Sequence, residues 1–491
     1  MKNPIKQLFG QTAIYGLGIV LPRVLNYLLL TPFYTRIFEK SSYGIITELY
    51  AYVVFLLVIL TYGMETGYFR YASGSGKKER VYTSVLASLF VSSAIFITAA
   101  VVWSESIGHL LGYDRHPEYT RWLAMIVGID AFASIPFARI RLHNRVGWYA
   151  IIRIVEVSVN ILLNFFFLYY CPRHSGNDFV SMVYNQEIGV GYVLISNLAA
   201  SLCKLCLLAG EMVAAFRSKL DTGLLGQILK YSYPLLIAGL AGTVNEALDR
   251  VLLKHLIPAE QVPMEQLGIY GANYKMAVLM TLFVQMFKYA AEPFFFSRSS
   301  DKNARELYAD VMTFFVVAGL LIFLVVNLYL DYFILFIGKD FREGAHIVPV
   351  ILFANLIMGI YFNLSIWYKL TGKTIYGAVL VITGAMVTVI INMLFIPQYG
   401  YTASAWAHLL CYSLMVLLSY LWSRKHYPIP YRIKRIISYM VLALMIFYFN
   451  QLFLQDALKY KELIRLAMLI LFGAIVCMRE KKTMNAYKQG G

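Results

Sequence analysis

Apolar residues run along this chain in blocks of about twenty, the length a helix needs to cross the hydrocarbon core of a bilayer, with short polar stretches between them. Roughly fourteen blocks can be read, starting near Gln11, Tyr43, Tyr82, Pro117, Gly147, Gly189, Tyr231, Leu267, Tyr308, Ala345, Thr374, Gly400, Arg435 and Lys461. The first follows Lys2 and Lys6, as in a signal peptide. It continues through Asn26 to Phe33 without a small-x-small cleavage site, which predicts a retained first helix. The loops are all about 20 residues or shorter, leaving no room for an extramembrane catalytic domain. The pattern predicts an all-α integral membrane protein.

Composition agrees. The chain is 59% hydrophobic and 14% charged, against roughly 25% charged in soluble domains. A net charge of +16 would suggest nucleic acid in a soluble protein. Here the cations gather in alternate loops instead. The N-terminus and every second loop hold roughly 26 Lys and Arg, among them Arg139, Arg141 and Arg145, and Arg298, Lys302 and Arg305; the opposite loops hold 8. By the positive-inside rule both termini face the cytoplasm of an inner membrane, and no nucleic-acid partner is expected. Cys203 and Cys206 form a C-x-x-C inside an apolar run, without the second pair or histidine of a metal site, and read as small core residues. No metal or cofactor is expected.

The chain resembles itself. RLHNR (Arg141 to Arg145) precedes a span reaching ILLNFFF, and KLTGK (Lys369 to Lys373) precedes one reaching VIINMLFI. One offset of 228 aligns Arg141 with Lys369, Arg145 with Lys373 and Asn164 with Asn392; YGII at Tyr43 aligns with LGIY at Leu267 at an offset of 224. Duplication would give a six-helix half over 1–220, a second over 221–425, and two added helices with a basic tail over 426–491. An even number of spans per half keeps both halves in the same orientation, with the site expected between them.

The stretch GKTIYGAVLVITGAMVTVIINMLFIPQYGYTASAWAHLL carries a Gly-Lys turn, a helix ending in Asn392, Ile396-Pro397-x-Tyr399-Gly400, and then the small residues Ala403, Ser404 and Ala405. This resembles the polysaccharide and O-antigen flippases of the MOP superfamily, the multidrug, oligosaccharidyl-lipid and polysaccharide exporters. GIYGANYKMA fits as well. Physically, Pro397 is expected to stop the helix and Gly400 to permit the reversal. The resemblance implies transport without catalysis, of a lipid-linked pyrophosphate glycan such as a lipopolysaccharide precursor. The partners it implies are membrane lipids and a coupling H⁺ or Na⁺.

Within apolar spans stand charges that are costly at bilayer depth. In GTVNEALDRVLLKHL, Glu246 and Arg250 are spaced i, i+4 and can pair; Lys254 can snorkel outward; Asp249 lies round from Arg250. One reading is self-paired scaffolding. The other is a face lining a wet cavity. The second gains from Arg23, Arg153, Lys204 and Lys275, also depth-placed cations. Arg153 has Glu156 at i+3, whereas Arg23 and Lys275 lack an acid one turn away. A pyrophosphate would suit such cations. Glu65 and Asp130, acids without a nearby cation in sequence, are candidates for ion coupling. A multidrug exporter would instead favour acids and aromatics. A polymerase or ligase would need a large outer loop, and the longest, CPRHSGNDFVSMVYNQEI, offers only Arg173, His174 and Asp178.

Overall fold

The computed structural model describes residues 21–22, 24–74, 78–454 and 460–489, and all regular structure among them is helical. A bilayer offers backbone groups no water, and only helices and closed barrels satisfy them internally. Eleven of the described helices are long and apolar enough to cross a membrane. They account for the expected spans from Tyr43 to Arg435 except the one near Gly189, whose helix, Gly191–Leu207, is shorter. The expected span from Gln11 lies largely outside the described residues. The last, Lys461–Gln489, is helical but is not among the eleven, its apolar stretch being broken by Arg465.

The chain divides into two compact units, Met1–Gly271 and Ala272–Gly491. The first contains α1 (Thr31–Ile37), α2 (Lys40–Thr61), α3 (Met64–Gly74), α4 (Lys78–Val102), α5 (Pro117–Leu142), α6 (Val146–Phe165), α7 (Gly191–Leu207) and α8 (Thr222–Leu256). The boundary falls inside α9 (Pro263–Tyr274). Met64, Tyr68, Tyr82, Val85, Leu89, Val127 and Ile135 form a continuous core of α3, α4 and α5, and Ile228 of α8 joins it. On the other side of α5, Phe137 and Ile140 pack with Tyr149 and Ile152 of α6. Cys203 is half-buried and Cys206 exposed on α7, so only the first approaches a core role.

The second unit contains α10 (Val278–Ser297), α11 (Ala304–Leu328), α12 (Val348–Leu364), α13 (Ile375–Tyr399), α14 (Tyr401–His426), α15 (Ile433–Phe453) and α16 (Lys461–Gln489). Pro397 does not end α13: the helix runs through it to Tyr399. Gly400 makes the break, at φ 54 and ψ −140, a conformation closed to residues with a side chain. The added helices are pinned to both ends of α11. Arg432 reaches Asp310 at 2.7 Å, and Asp331 takes Lys461 at 2.7 Å and Arg465 at 2.9 Å. Glu480 on α16 accepts from Tyr439 of α15 at 2.8 Å.

Bonds made separately in each unit fit the repeat read from sequence. Asn164 and Asn392 are both fully buried, and both donate to the carbonyl one turn back, at 2.8 Å and 2.7 Å. Both accept from a hydroxyl on a neighbouring helix, Tyr34 at 2.7 Å and Ser404 at 2.8 Å. Arg141 pairs with Glu65 at 2.6 Å, and its counterpart Lys369 pairs with Glu292 at 3.0 Å. Glu65 and Glu292 stand at an offset of 227, between the two offsets already found.

Candidate functional site

Among the described residues of the first unit, charged side chains gather in several interior clusters, one of them Arg139 with Glu79 and Glu211, and two others lie among the membrane-crossing helices. The first is built on α5, α6 and α7. Lys204, 2% exposed, places Nζ 2.6 Å from Asp130 Oδ1 and 2.6 Å from Glu156 Oε1. Arg153 reaches the other oxygen of Glu156 at 3.0 Å and lies over the Phe137 ring at 4.2 Å. Ser201 donates to Asp130 at 2.8 Å. Two acids and two bases balance. A buried charge must be neutralised or matched, and here the match comes from three helices distant in sequence, which is why Lys204 and Asp130 look partnerless in the chain. Glu65 likewise meets Arg141, so neither expected lone acid is alone.

The second cluster centres on Glu48, an acid the sequence reading passed over. It is wholly buried on α2 and receives Lys254 Nζ at 2.9 and 3.1 Å and Tyr52 at 2.8 Å. Tyr113 also donates to it. Burial, and then the Glu48 carboxylate, push the Tyr113 phenol well above its ordinary range, so it stays a donor. Lys254 additionally donates to the Leu111 carbonyl and faces the Tyr113 ring at 4.6 Å. It does not snorkel: the head group that a lysine at a span end usually sends to water is drawn inward by a buried carboxylate. The available signal was a lone acid in TELYAYVVFLL.

Beside Glu48 on α2, glycines let two helices meet backbone to backbone. A Cβ on Gly44 would sit 2.1 Å from the Met264 carbonyl oxygen, and one on Gly268 would sit 2.0 Å from that of Lys40. The pairs are reciprocal. Gly44 and Gly268 correspond at the offset of 224, and so do Lys40 and Met264. Each glycine therefore meets the counterpart of its partner's neighbour, the signature of an isologous contact about a local pseudo-two-fold axis.

Toward the C-terminal end of α8, Arg250 is half-buried and donates to the backbone carbonyl of Glu246 at 3.3 Å. The Glu246 side chain is exposed, so the expected carboxylate pair gives way to a bond along the helix. Asp249, 1% exposed, accepts from Tyr270 of α9. Lys275 is half-buried in the tight turn Lys275–Ala277 that begins the second unit. Arg23 lies outside the described residues.

A family model described as polysaccharide biosynthesis protein matches residues 33–345, well over half of the chain. The chain belongs to this polysaccharide biosynthesis family. Its fold is shared with solved transporters of the MOP superfamily, and its described helices are those of a multi-pass membrane protein. It is similar to lipid II flippase MurJ in an inward closed conformation, at a TM-score of 0.70 and 14% identity over 96% of this chain and 100% of that one. It is also similar to a multidrug resistance MATE family transporter of the MOP superfamily. The inward-facing conformation gives a TM-score of 0.65 at 12% identity, covering 87% of this chain and 96% of that one. The outward-facing conformation gives 0.59 at 12%, covering 89% and 97%. No curated protein matches it by sequence.

Proposed function

We propose that this member of the family moves a lipid-linked, pyrophosphate-bearing oligosaccharide or polysaccharide precursor across the cytoplasmic membrane by alternating access. The observation that carries the choice of cargo is the state of the buried acids. Glu48 is held by Lys254, Tyr52 and Tyr113, and Asp130 and Glu156 share Lys204. A cationic drug would have to compete with a lysine already bonded to each of these carboxylates, which disfavours the multidrug alternative. Arg250 and Lys275, each half-buried, are the residues assigned to an anionic cargo, with Arg153 and Arg23 as further contributors. Moving negative charge outward across an inside-negative membrane releases about 2.3 kcal/mol per charge per 100 mV, so the potential itself helps this cargo.

The Gly44–Gly268 contact supplies the closure. Charge asymmetry assigns this end of α2 to the outer side, and in the duplication reading α9 belongs to the second repeat. An outward-open state must part the two helices there, with the Lys254–Glu48 pair one turn away. The test is transport of a fluorescent lipid-linked pyrophosphate oligosaccharide in vesicles, run beside efflux of a cationic dye. Glycan flipping that falls in Arg250→Ala without loss of protein supports the reading. Dye efflux without glycan flipping would overturn it. Because the Glu246 side chain is exposed, removing Arg250 does not leave that carboxylate stranded in the interior.

A further inference from the structure

Several arginines and lysines at the helix ends of the second unit are held by acids: Lys369 by Glu292, Arg432 by Asp310, Arg465 by Asp331. A group gathered around one cleft is not. A cleft of about 760 Å³ opens where the start of α11 meets the end of α14 and the segment after it, and its walls carry Lys302, Arg305 and Arg424. All three are exposed, and none has an acidic partner within salt-bridge distance among the described residues. Arg305 stacks over Tyr427 at 4.7 Å, which holds the guanidinium while leaving its edge free to donate. The one acid in the lining, Glu306, leaves the cleft with a surplus of two positive charges.

Two further features point the same way. The 25-residue helix α11 begins in this wall, and its N-cap residue Asn303 makes no side-chain capping bond, so first-turn N–H groups and the positive end of the helix face the cleft uncapped. Tyr431, also in the lining, has a buried hydroxyl with no hydrogen-bond partner among the described residues. Burial pushes that phenol far above its ordinary range, so it is a donor waiting for an acceptor. Cations, orphan N–H groups and a hydroxyl donor together ask for a compact oxyanion with several acceptors.

We infer that this cleft holds a phosphate group, that of an anionic lipid headgroup. Both loops that form it belong to the set that charge asymmetry places on the cytoplasmic side, where anionic lipids gather and basic pockets between helices take their headgroups. The site is separate from the buried charges assigned to the cargo and does not depend on that assignment.

The experiment is native mass spectrometry of the full chain released from nanodiscs of phosphatidylglycerol and phosphatidylcholine, with inorganic phosphate titrated in a parallel arm. Phosphatidylglycerol should be retained in preference to phosphatidylcholine. The R305Q/R424Q double variant should weaken retention roughly thirtyfold, at about fivefold per cation near an anionic surface. R305K/R424K, which keeps the charge, should retain most of the binding, and Tyr431→Phe should weaken it more modestly. The residues are exposed, so unchanged elution of the variants certifies folding. Equal retention by the double variant, or no preference for the anionic lipid, overturns the proposal. Displacement of the lipid by millimolar inorganic phosphate overturns the lipid source and assigns the cleft to free phosphate.

Discussion

At the positions where the first unit carries Asp130, Arg153 and Glu156, an offset of 228 finds Met358, Val381 and Gly384 in the second. The two units keep the same packing devices at that register. Each has a buried Asn bridging a helix turn and a neighbouring hydroxyl, and each has a basic residue at the loop before that helix bonded to an acid. They differ in what fills the middle. A buried ion network costs desolvation that good geometry only just returns, and the second unit has uncharged residues at these corresponding positions, its own ion pairs lying at the ends of its helices. The helix pattern thus does not need charges at these positions, which leaves the network of the first unit open to a role in transport.

The largest effect should come from the place where corresponding residues touch. Gly44→Ala and Gly268→Ala each push a methyl to about 2 Å from a backbone oxygen, which cannot rotate away as a side chain would. The cost should exceed the roughly 1–3 kcal/mol of ordinary overpacking, and folded protein in the membrane should fall sharply. Gly242→Ala on α8, where a Cβ meets nothing within 4 Å, should behave as wild type. An abundant, transport-active Gly44→Ala would mean the two helices do not meet so closely, and the isologous contact would be lost from the argument.

Next comes the network. Lys204→Met leaves the partly buried Asp130 and Glu156 without their shared cation, Glu156 keeping Arg153, so the loss should fall below the roughly 3–5 kcal/mol of breaking a fully buried pair. Adding Asp130→Asn and Glu156→Gln, which makes these positions uncharged like Met358 and Gly384 of the second unit, should restore thermal stability measured in detergent. Transport then separates the readings: a stable triple variant that flips substrate normally makes the network scaffolding, whereas a stable but inactive one makes it part of the transport cycle.

The replicated loop pair gives a smaller effect. Arg141→Lys copies the second unit's Lys369 and should leave stability nearly unchanged. Glu65→Gln and Glu292→Gln should cost about 1 kcal/mol or less, since both pairs are partly exposed. A much larger loss from Glu65→Gln than from Glu292→Gln would show that the two pairs, though equivalent in position, do different work.

Much of this was legible in the chain. Span length and alternate-loop charge are local properties, and they fixed the class of fold; the offsets tying Asn164 to Asn392 and Gly44 to Gly268 needed only the sequence set beside itself. The partners of charged residues were not legible, because they come from packing. Lys204 finds Asp130 and Glu156 on two other helices, and Lys254 finds Glu48 more than 200 positions away. The i, i+4 rule saw only along one helix, so it supplied Glu246 for Arg250, whose bond goes instead to a carbonyl on the same turn. Proline as a helix stop also failed at Pro397, since near the end of a membrane helix the lost bond is tolerated and the positive-φ glycine does the breaking.

The smallest effect belongs to the second unit's own charge cluster, which sits at a helix end rather than mid-span. Burial raises the Asp331 carboxyl, but the hydrogen bonds from Lys461 and Arg465 outweigh it and hold the group below the ordinary carboxylate range. A depressed folded value means the stabilisation is complete above the unfolded value of about 3.9 and is lost as pH falls through the folded one. Acidification below about pH 4 should therefore loosen the start of α16 from the end of α11, seen as faster hydrogen exchange around Lys461 to Arg465. Asp331→Asn should show that exchange already at neutral pH and lose the acid response, with little change in overall melting because Asp331 is partly exposed. Lys204 is itself 2% exposed, so exchange around it should stay slow over this range. Exchange rising at Lys204 in the same range as at Arg465 would mean that the two clusters differ less in solvent access than their burial indicates.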